Sequence, residues 1–255
     1  MYSAERRQEI LKLMEENSRV AVTDLAGRFG VSTSSIRRDL NELRRLGLLE
    51  RTYGGAIGLG GNSGETPYSE RAIAQFDEKE RIGRAAAHLI QPGDTVFVDG
   101  GTTTESMLGY IPQDFRFTLV TYGLNIVQRL TERDHITVIL IGGILHGRSL
   151  TFGGVFANDS FECYNLRFDK AFLAASGVSA EAGITNAGFE EIPIKRRAIR
   201  SSQQTILLAD STKLGLIAAG VIAPIDALQR LITTKDASEA EIERIRRKGI
   251  MVDVV

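Results

Sequence analysis

The 255-residue chain reads as an α/β protein in two parts, a small helical N-terminal unit joined to a larger α/β domain with a mainly parallel sheet. Composition breaks at Gly54–Pro67 (GGAIGLGGNSGETP), where glycines at 54, 55, 58, 60, 61 and 64 oppose both a helix and a packed strand. After the break, seven short β-branched runs (TVFVDG, FTLVT, ITVILIGG, KAFLAA, TILLAD, LITT, IMVDVV) alternate with amphipathic stretches, the order that gives a parallel sheet with helices on both faces. Before it, apolar residues recur at helical spacing instead. At about 150 residues per domain the length suits two compact units. The expected boundaries are 1–57 for the first, 58–75 for a linker and 76–255 for the second.

Charge and cysteine content exclude several classes. The net charge of −1 leaves no chain-wide basic field for nucleic acid or an anionic membrane. Residues 1–57 hold ten Lys/Arg against eight Asp/Glu, for +2, and the remainder holds 21 against 24, for −3, so positive charge collects at the N-terminus. A single cysteine, Cys163, excludes internal disulfides and is expected as a small buried thiol. No Cys/His cluster has metal-ligand spacing, so neither a metal nor a cofactor is expected. No run approaches the roughly 18 apolar residues of a membrane span, and the N-terminus lacks an apolar signal core. The expectation is a cytoplasmic protein with no membrane partner.

In the first unit, Ile10, Leu13 and Met14 mark a helix over Glu5–Glu16 that Asn17-Ser18 stops, and a short RVAV segment follows. Thr23 is placed to cap a second helix, TDLAGRF, whose Leu25, Ala26 and Phe29 share a face, and Gly30 suits the left-handed residue that ends it. Ser32 is a natural cap for a third helix in which Ile36, Leu40 and Leu43 face the core. Its outer face carries Ser34, Arg38, Asn41 and Arg45, with Ser35 and Arg37 on the flanks. Two helices, a Gly-containing turn and a polar second helix make a helix-turn-helix, whose recognition helix enters the major groove. Arg37 and Arg38 offer bidentate forks to guanine or phosphate. The hydroxyls of Thr23, Ser32, Thr33, Ser34 and Ser35, with Asn41, offer further contacts. Gly47–Gly55 then reads as a strand and turn that place Arg51 and Tyr53 as a wing over the duplex. A lone Arg pair would be read as a solvated helix face; the ordered helices, turn and wing favour DNA. Asp39 is read as the partner of a nearby Arg.

In the second unit, Asp99-Gly100-Gly101-Thr102-Thr103-Thr104 follows the strand TVFV and opens a helix. Glycines admit a ligand to the backbone, helix-start amides attract an anion and three hydroxyls add donors, so phosphate is the expected ligand. A capped helix start uses the same residues and is an equal alternative on spacing alone. The turn is neither a Walker loop nor GxGxxG, so no ATPase or dehydrogenase is expected. Gly142-Gly143 and Asp210-x-x-Lys213 lie at or beyond other strand ends, where open sheets place ligands; Lys213 suits a phosphate, and Asp99 and Asp210 suit sugar hydroxyls. Glu191 and Lys195 are four apart on one helix, which as a surface pair would be worth a few tenths of a kcal/mol. Pro193 fits that helix's first turn. His88, His135 and His146 read as ordinary surface or packing residues, and no triad is recognisable.

The run DLAGRFGVSTSSIRRDLNELRRLGLLERTYGGA closely resembles the winged helix-turn-helix of the DeoR family of bacterial transcription regulators. The pattern lies on Ile36, Arg37, Arg38, Asp39 and Leu40, then Leu43, Gly47, Arg51, Tyr53, Gly54 and Gly55, and the match covers residues 3–58. Residues 76–255 resemble the family's effector domain at Asp99, Gly100, Thr102, Gly142-Gly143, Ser149, Gly154, Asp169-Lys170, Gly183, Thr185, Glu191, Lys195, Asp210–Lys213 and Gly215. The chain departs at Thr121-Tyr122-Gly123, where the family commonly has Thr-Asn-Ser, and at Ala174 and Ser176, where Gly and Asp are common. The resemblance implies a domain like ribose-5-phosphate isomerase that binds a phosphorylated sugar through Asp99, Gly100, Gly101, Thr102, Thr103, Thr104, Gly143, Lys170, Glu191, Lys195, Asp210 and Lys213. It implies a repressor of a carbohydrate operon, acting as a homo-oligomer on double-stranded operator DNA. A sugar-phosphate isomerase or deaminase with Glu191 or Asp99 as general base stays open as the second reading.

Overall fold

The computed structural model describes residues 6, 7, 9, 10, 13, 19–45, 49–52, 54–58 and 66–255. The chain divides into two compact units, Met1–Gly64 and Glu65–Val255. Residues 65–75, expected as the end of the linker, therefore fold with the second unit, because Tyr68 and its neighbours bond to that unit's own loops.

In the first unit, strand β1 (Arg19–Ala21) leads into helices α1 (Val22–Phe29) and α2 (Thr33–Arg45), and strands β2 (Leu49–Thr52) and β3 (Gly55–Gly58) form an antiparallel sheet in the order β1-β3-β2. Ile10 and Leu13, both helical, pack with Val20, Val22, Leu25, Ile36, Leu40, Leu43 and Ala56 in one core. Burying such side chains stabilises by about 1.5–3 kcal/mol each. The turn between the helices is set by Gly30 at φ 63°, a left-handed residue that returns its N–H to the Ala26 carbonyl. Ser32 caps α2 as expected, its Oγ accepting from Ser35 N–H at 3.2 Å. Thr23 does not cap α1. The helix starts one residue earlier, because the Val22 N–H is taken by the Gly54 carbonyl of the wing turn, and Thr23 lies exposed inside the first turn, donating to Asp24. A Cβ on Gly55 would lie 2.1 Å from the Val20 carbonyl oxygen, so glycine lets β3 lie against β1.

The second unit is built on a seven-stranded parallel sheet. Its strands are β4 (Thr95–Val98), β5 (Phe117–Thr121), β6 (Ile136–Leu140), β9 (Phe168–Leu173), β12 (Ser202–Leu208), β14 (Arg230–Thr233) and β15 (Met251–Val254), in the order β15-β14-β12-β9-β4-β5-β6. These are the seven runs expected from sequence. Alternate residues feed two cores: Val96 and Val98 pack with helix α4 (Phe76–Ala87), while Phe97 faces Ile194, Ala198, Ile242 and Ile245 of the opposite layer. Two smaller elements cover the C-terminal ends of the strands: hairpin β7 (Ile144–His146) with β8 (Thr151–Gly153), and the antiparallel sheet β10 (Gly177–Ser179), β11 (Gly183–Asn186) and β13 (Gly220–Ala223). Cys163, expected buried, is exposed; it lies near the end of a helix, Val155–Tyr164, that buries Ala157 and Phe161 instead. Among the described residues no helix is long and apolar enough to cross a membrane.

Asp39 is buried on α2 and accepts from Arg6 Nε at 2.6 Å, which supports reading it as an Arg partner. Asp39→Ala strands the Arg6 guanidinium among apolar side chains. The variant is expected to destabilise the first unit by about 3 kcal/mol, read as an earlier transition of that unit in urea unfolding followed by amide exchange.

Candidate functional site

The order of strand addition reverses beside β4: β5 and β6 build out on one side, β9, β12, β14 and β15 on the other. Ligands in open α/β sheets bind at such a switch point, beyond the carboxyl ends of the strands. Asp99 ends β4 there and is fully buried. Its N–H donates to the Phe172 carbonyl, and its Oδ2 accepts from the Ala174 N–H at 2.8 Å, so the two strand ends on either side of the switch are tied by one residue. The Tyr122 hydroxyl, from the loop after β5, donates to Oδ1.

Lys195 completes this centre. It sits on helix α8 (Ile192–Arg200), which Pro193 opens, and its Nζ lies 2.9 Å from Asp99 Oδ2 and 3.2 Å from Glu191 Oε2. It also donates to the Ala174 carbonyl at 3.0 Å and to Asn186 Oδ1 at 3.3 Å. Glu191 accepts from Asn186 Nδ2 at 3.0 Å and from the Thr151 hydroxyl at 3.2 Å. The Glu191–Lys195 pair is thus no surface bridge: both are buried, the lysine side chain to 3% exposure. Burial alone would push the Lys195 ammonium down, but Asp99 and then Glu191 outweigh it and hold the group above its ordinary value. Burial likewise pushes Glu191 up, while Lys195, Arg71 and the Asn186 amide hold its carboxyl below the usual range.

The glycine–threonine turn lies against this centre. A Cβ on Gly100 would come 2.5 Å from Thr151 Cγ2, and one on Gly101 2.4 Å from the Ala174 Cβ. One on Gly123 would come 2.7 Å from Gly100 Cα, so the turns after β4 and β5 meet backbone to backbone. Helix α5 (Thr102–Ser106) starts here, with Glu105 N–H returning to Gly101 O, and the amides of its first turn have no partner within the helix. Of the three threonines expected as hydroxyl donors, Thr104 is turned inward, donating to the carbonyls of Asp99 (2.7 Å) and Gly101 (2.8 Å); it braces the turn. Thr102 and Thr103 are nearly buried beside it. Gly143 follows β6, where a side chain would strike the Gly153 carbonyl at 2.5 Å, so it serves the seating of β8.

Asp210 and Lys213 follow β12 at the same end of the sheet. Asp210 is buried and caps the short turn Ser211–Lys213, accepting from Thr212 N–H at 3.1 Å. Close by is Lys79 of α4, which sequence reasoning missed. Its ammonium is buried, donates to the carbonyls of Arg71 and of Ala74 (2.5 Å), and lies near Asp210, Lys213 and Arg71. Burial, joined by Lys213 and Arg71, holds it below the usual lysine range, against the pull of Asp210. Glu78, its neighbour, accepts from Ser211 and Thr234. Lys79 could not be singled out because it belongs to an unremarkable amphipathic helix; only tertiary folding brings it beside the turn. Tyr122, Thr151, Asn186 and Arg71 were missed for the same reason.

Lys170 does not join the site. It pairs with Val96 early in β9 and bonds Asp94 Oδ2 at 2.6 Å, whereas Ala174 is four residues further on, about 13 Å along an extended strand. The expectation placed it at the wrong end of the sheet.

In the first unit, Ser32, Thr33, Ser34, Arg37, Arg38 and Asn41 are exposed, and Ser35 half-buried, along the outer face of α2; Arg44, also exposed, extends the stripe. Arg51 lies in β2, but its side chain and all of Tyr53 fall outside the described residues.

Two family models match: the DeoR-like helix-turn-helix domain over residues 6–59 and the DeoR C terminal sensor domain over 74–235. The chain belongs to the DeoR family. It is 34% identical over 255 residues to the HTH-type transcriptional regulator YulB of Bacillus subtilis, covering all of this chain and 98% of that protein. It is 32% identical to the glycerol-3-phosphate regulon repressor of Escherichia coli, over 89% of this chain and 90% of that one. Among solved structures, ribose 5-phosphate isomerase A of Methanocaldococcus jannaschii superposes with a TM-score of 0.40 at 14% identity over 55% of each chain. The DeoR sensor domain thus holds a centre with one buried cation between two buried carboxylates.

The pH dependence follows from that arrangement. Glu191, lowered in the fold from 4.5, contributes stability that is complete above 4.5 and lost as pH falls through its native value; Lys195, raised from 10.5, contributes stability complete below 10.5 and lost only as pH rises past its native value. Urea unfolding is therefore expected to show a plateau at neutral pH with an acid limb that shrinks in Glu191→Gln. Lys195→Met, which leaves two facing buried carboxylates, is expected to cost about 3–5 kcal/mol at neutral pH.

Proposed function

We propose that the chain is a DNA-binding transcription repressor of a carbohydrate operon whose operator affinity is set by a phosphorylated sugar. The observation that carries the reading is the glycine–threonine turn at the switch point: a helix start approached by backbone, with Lys79 and Lys213 at its side and a polar wall of Asp99, Glu191, Lys195, Thr151 and Asn186 beyond. The phosphate sits on the amides of Thr102 and Thr103 with the hydroxyls beside them, and the sugar hydroxyls face the polar wall. Asp99, Lys195 and Glu191 are largely used up by one another, so they shape the wall and orient its edge. Asp210 acts in the same way, fixing the turn that presents Lys213.

At the other end, α2 offers Arg37, Arg38 and Asn41 to the major groove, with the hydroxyls of Ser32 to Ser35 and Thr23 at the phosphates and Arg51 and Tyr53 on the wing. One such unit at a net +2 binds weakly, which favours a homo-oligomer reading repeated or palindromic half-sites. The relatives' names are those of regulators, among them the repressor of a glycerol-3-phosphate regulon. The protein acts in the cytoplasm, where operator DNA and sugar phosphates meet, and uses no cofactor.

Fluorescence anisotropy on DNA flanking the protein's own gene, at fixed salt, tests the reading. Binding that is altered by one phosphosugar and not by its unphosphorylated parent is the expected result; turnover of ribose 5-phosphate or glucosamine 6-phosphate would favour the enzyme instead. Arg37→Ala combined with Arg38→Ala is expected to abolish DNA binding and leave phosphosugar-induced thermal stabilisation intact.

A further inference from the structure

Helix α3 (Tyr68–Ile73), the first element of the sensor domain after the linker, has an unusual hold on its surroundings. None of its residues is buried, and Ile73 is 79% exposed. Apolar packing therefore does little to fix it, and a few polar bonds do the rest: Tyr68 Oη donates to Glu105 Oε2 at 2.7 Å, Tyr68 N–H donates to the Arg148 carbonyl at 2.8 Å, and Lys79 Nζ grips the carbonyls of Arg71 and Ala74 at the helix end. Two of these tethers, to Glu105 and from Lys79, reach the proposed site. Glu105 lies on α5, behind the anion turn, and is itself held by Asn125 and Arg129. Thr102 Oγ1, in the turn, points at the Arg71 carbonyl at 3.5 Å.

We propose that α3 is a further wall of the effector site and the relay from it to the linker, with Arg71 facing the bound anion and its docking strengthened when the anion is present. The inference rests on the proposed reading of that site. The Arg71 guanidinium lies near enough to Glu191 and Lys79 to act on both, and Lys213 acts on Lys79 too. Lys79 Nζ and Thr102 Oγ1 both reach the Arg71 carbonyl, so Arg71 and Lys79 lie together beside the turn. A phosphate dianion there turns repulsion between Arg71 and Lys79 into attraction through a shared partner. Because Arg71 is carried on α3, that gain is realised only when α3 is docked, which is the differential contact a ligand needs to shift an equilibrium. A segment held by few buried groups sits at the low end of local stability, where such a shift is large. The tightened helix passes its restraint to Thr66 and Pro67, whose carbonyls accept from Arg71.

The test uses the full chain with glycerol 3-phosphate, fructose 1-phosphate, fructose 6-phosphate and inorganic phosphate as probes. Amide exchange over 66–75 is expected to slow at least about tenfold with a saturating probe that raises the melting temperature, and the same probe is expected to change affinity for the DNA flanking the gene at least about fivefold. In Tyr68→Phe the probe is expected still to raise the melting temperature, while its effect on DNA affinity falls to less than about a third of the wild-type fold-change. A probe that raises the melting temperature but leaves exchange over 66–75 or DNA affinity unchanged overturns the relay and leaves the site standing, as does full retention of the DNA response in Tyr68→Phe. If no probe, inorganic phosphate included, raises the melting temperature, the site reading falls and the relay with it.

Discussion

An ammonium group kept charged inside a protein must be surrounded by acceptors, and the sensor domain is arranged around that requirement. Lys195 reaches from α8 to the end of β4, where Asp99 waits with its other lone pairs committed to Tyr122 and the Ala174 amide. Through one nitrogen the lysine also meets Glu191, Asn186 and the Ala174 carbonyl, so α8, β11, β9 and β4 converge on it. Desolvating three charges is expensive, and a dry apolar cluster of the same volume would serve stability as well or better. What the ions supply is position: each strand end has one place to lie, and the glycine turn beyond β4 is held against three loops.

The DNA-binding unit uses the same device on a smaller scale. Arg6, from the N-terminal helical residues, is buried against Asp39 of α2, so the acid in the middle of the Arg-rich helix points inward. That leaves Arg37, Arg38, Asn41 and Arg44 exposed on the outer face while Asp39 is turned inward. The modest excess of positive charge in this part of the chain is thereby concentrated where a duplex can reach it.

Much of this architecture was legible from residue order because it is local. The seven strands of the parallel sheet are runs of β-branched residues, the left-handed end of α1 is a glycine, and the cap of α2 is a serine. The failures lie where a distant residue decides. Thr23 has the chemistry of a cap, but the carbonyl of Gly54, thirty residues on, takes the Val22 amide and moves the helix start. Lys170 follows Asp169 in a run that suits a ligand site, yet strand register puts it beside Asp94 at the opposite edge. Cys163 was assigned to the interior by residue type, whereas helix phase turns it to solvent. Lys79 and Arg71 are ordinary surface-helix residues until α3 and α4 fold over the turn. The expected linker, 58–75, runs past the glycine-rich stretch, yet Tyr68 finds partners in the sensor domain, so the last part of it folds there.

The close approach of Gly100, Gly101 and Gly123 also determines how such a sensor can diverge. A Cβ at Gly101 would meet the Ala174 Cβ, one at Gly123 the Gly100 Cα and one at Gly100 the buried Thr151 methyl, each within 3 Å and each from a separate segment of the same fold. The turn itself is therefore closed to gradual change. Beside it, Ser176 is half-buried and reaches toward Asn186 through its hydroxyl, so its side chain is easier to exchange than Asn186, which Lys195 and Glu191 hold. A lineage of such proteins would keep this turn and vary around it, changing what the domain senses without rebuilding its frame.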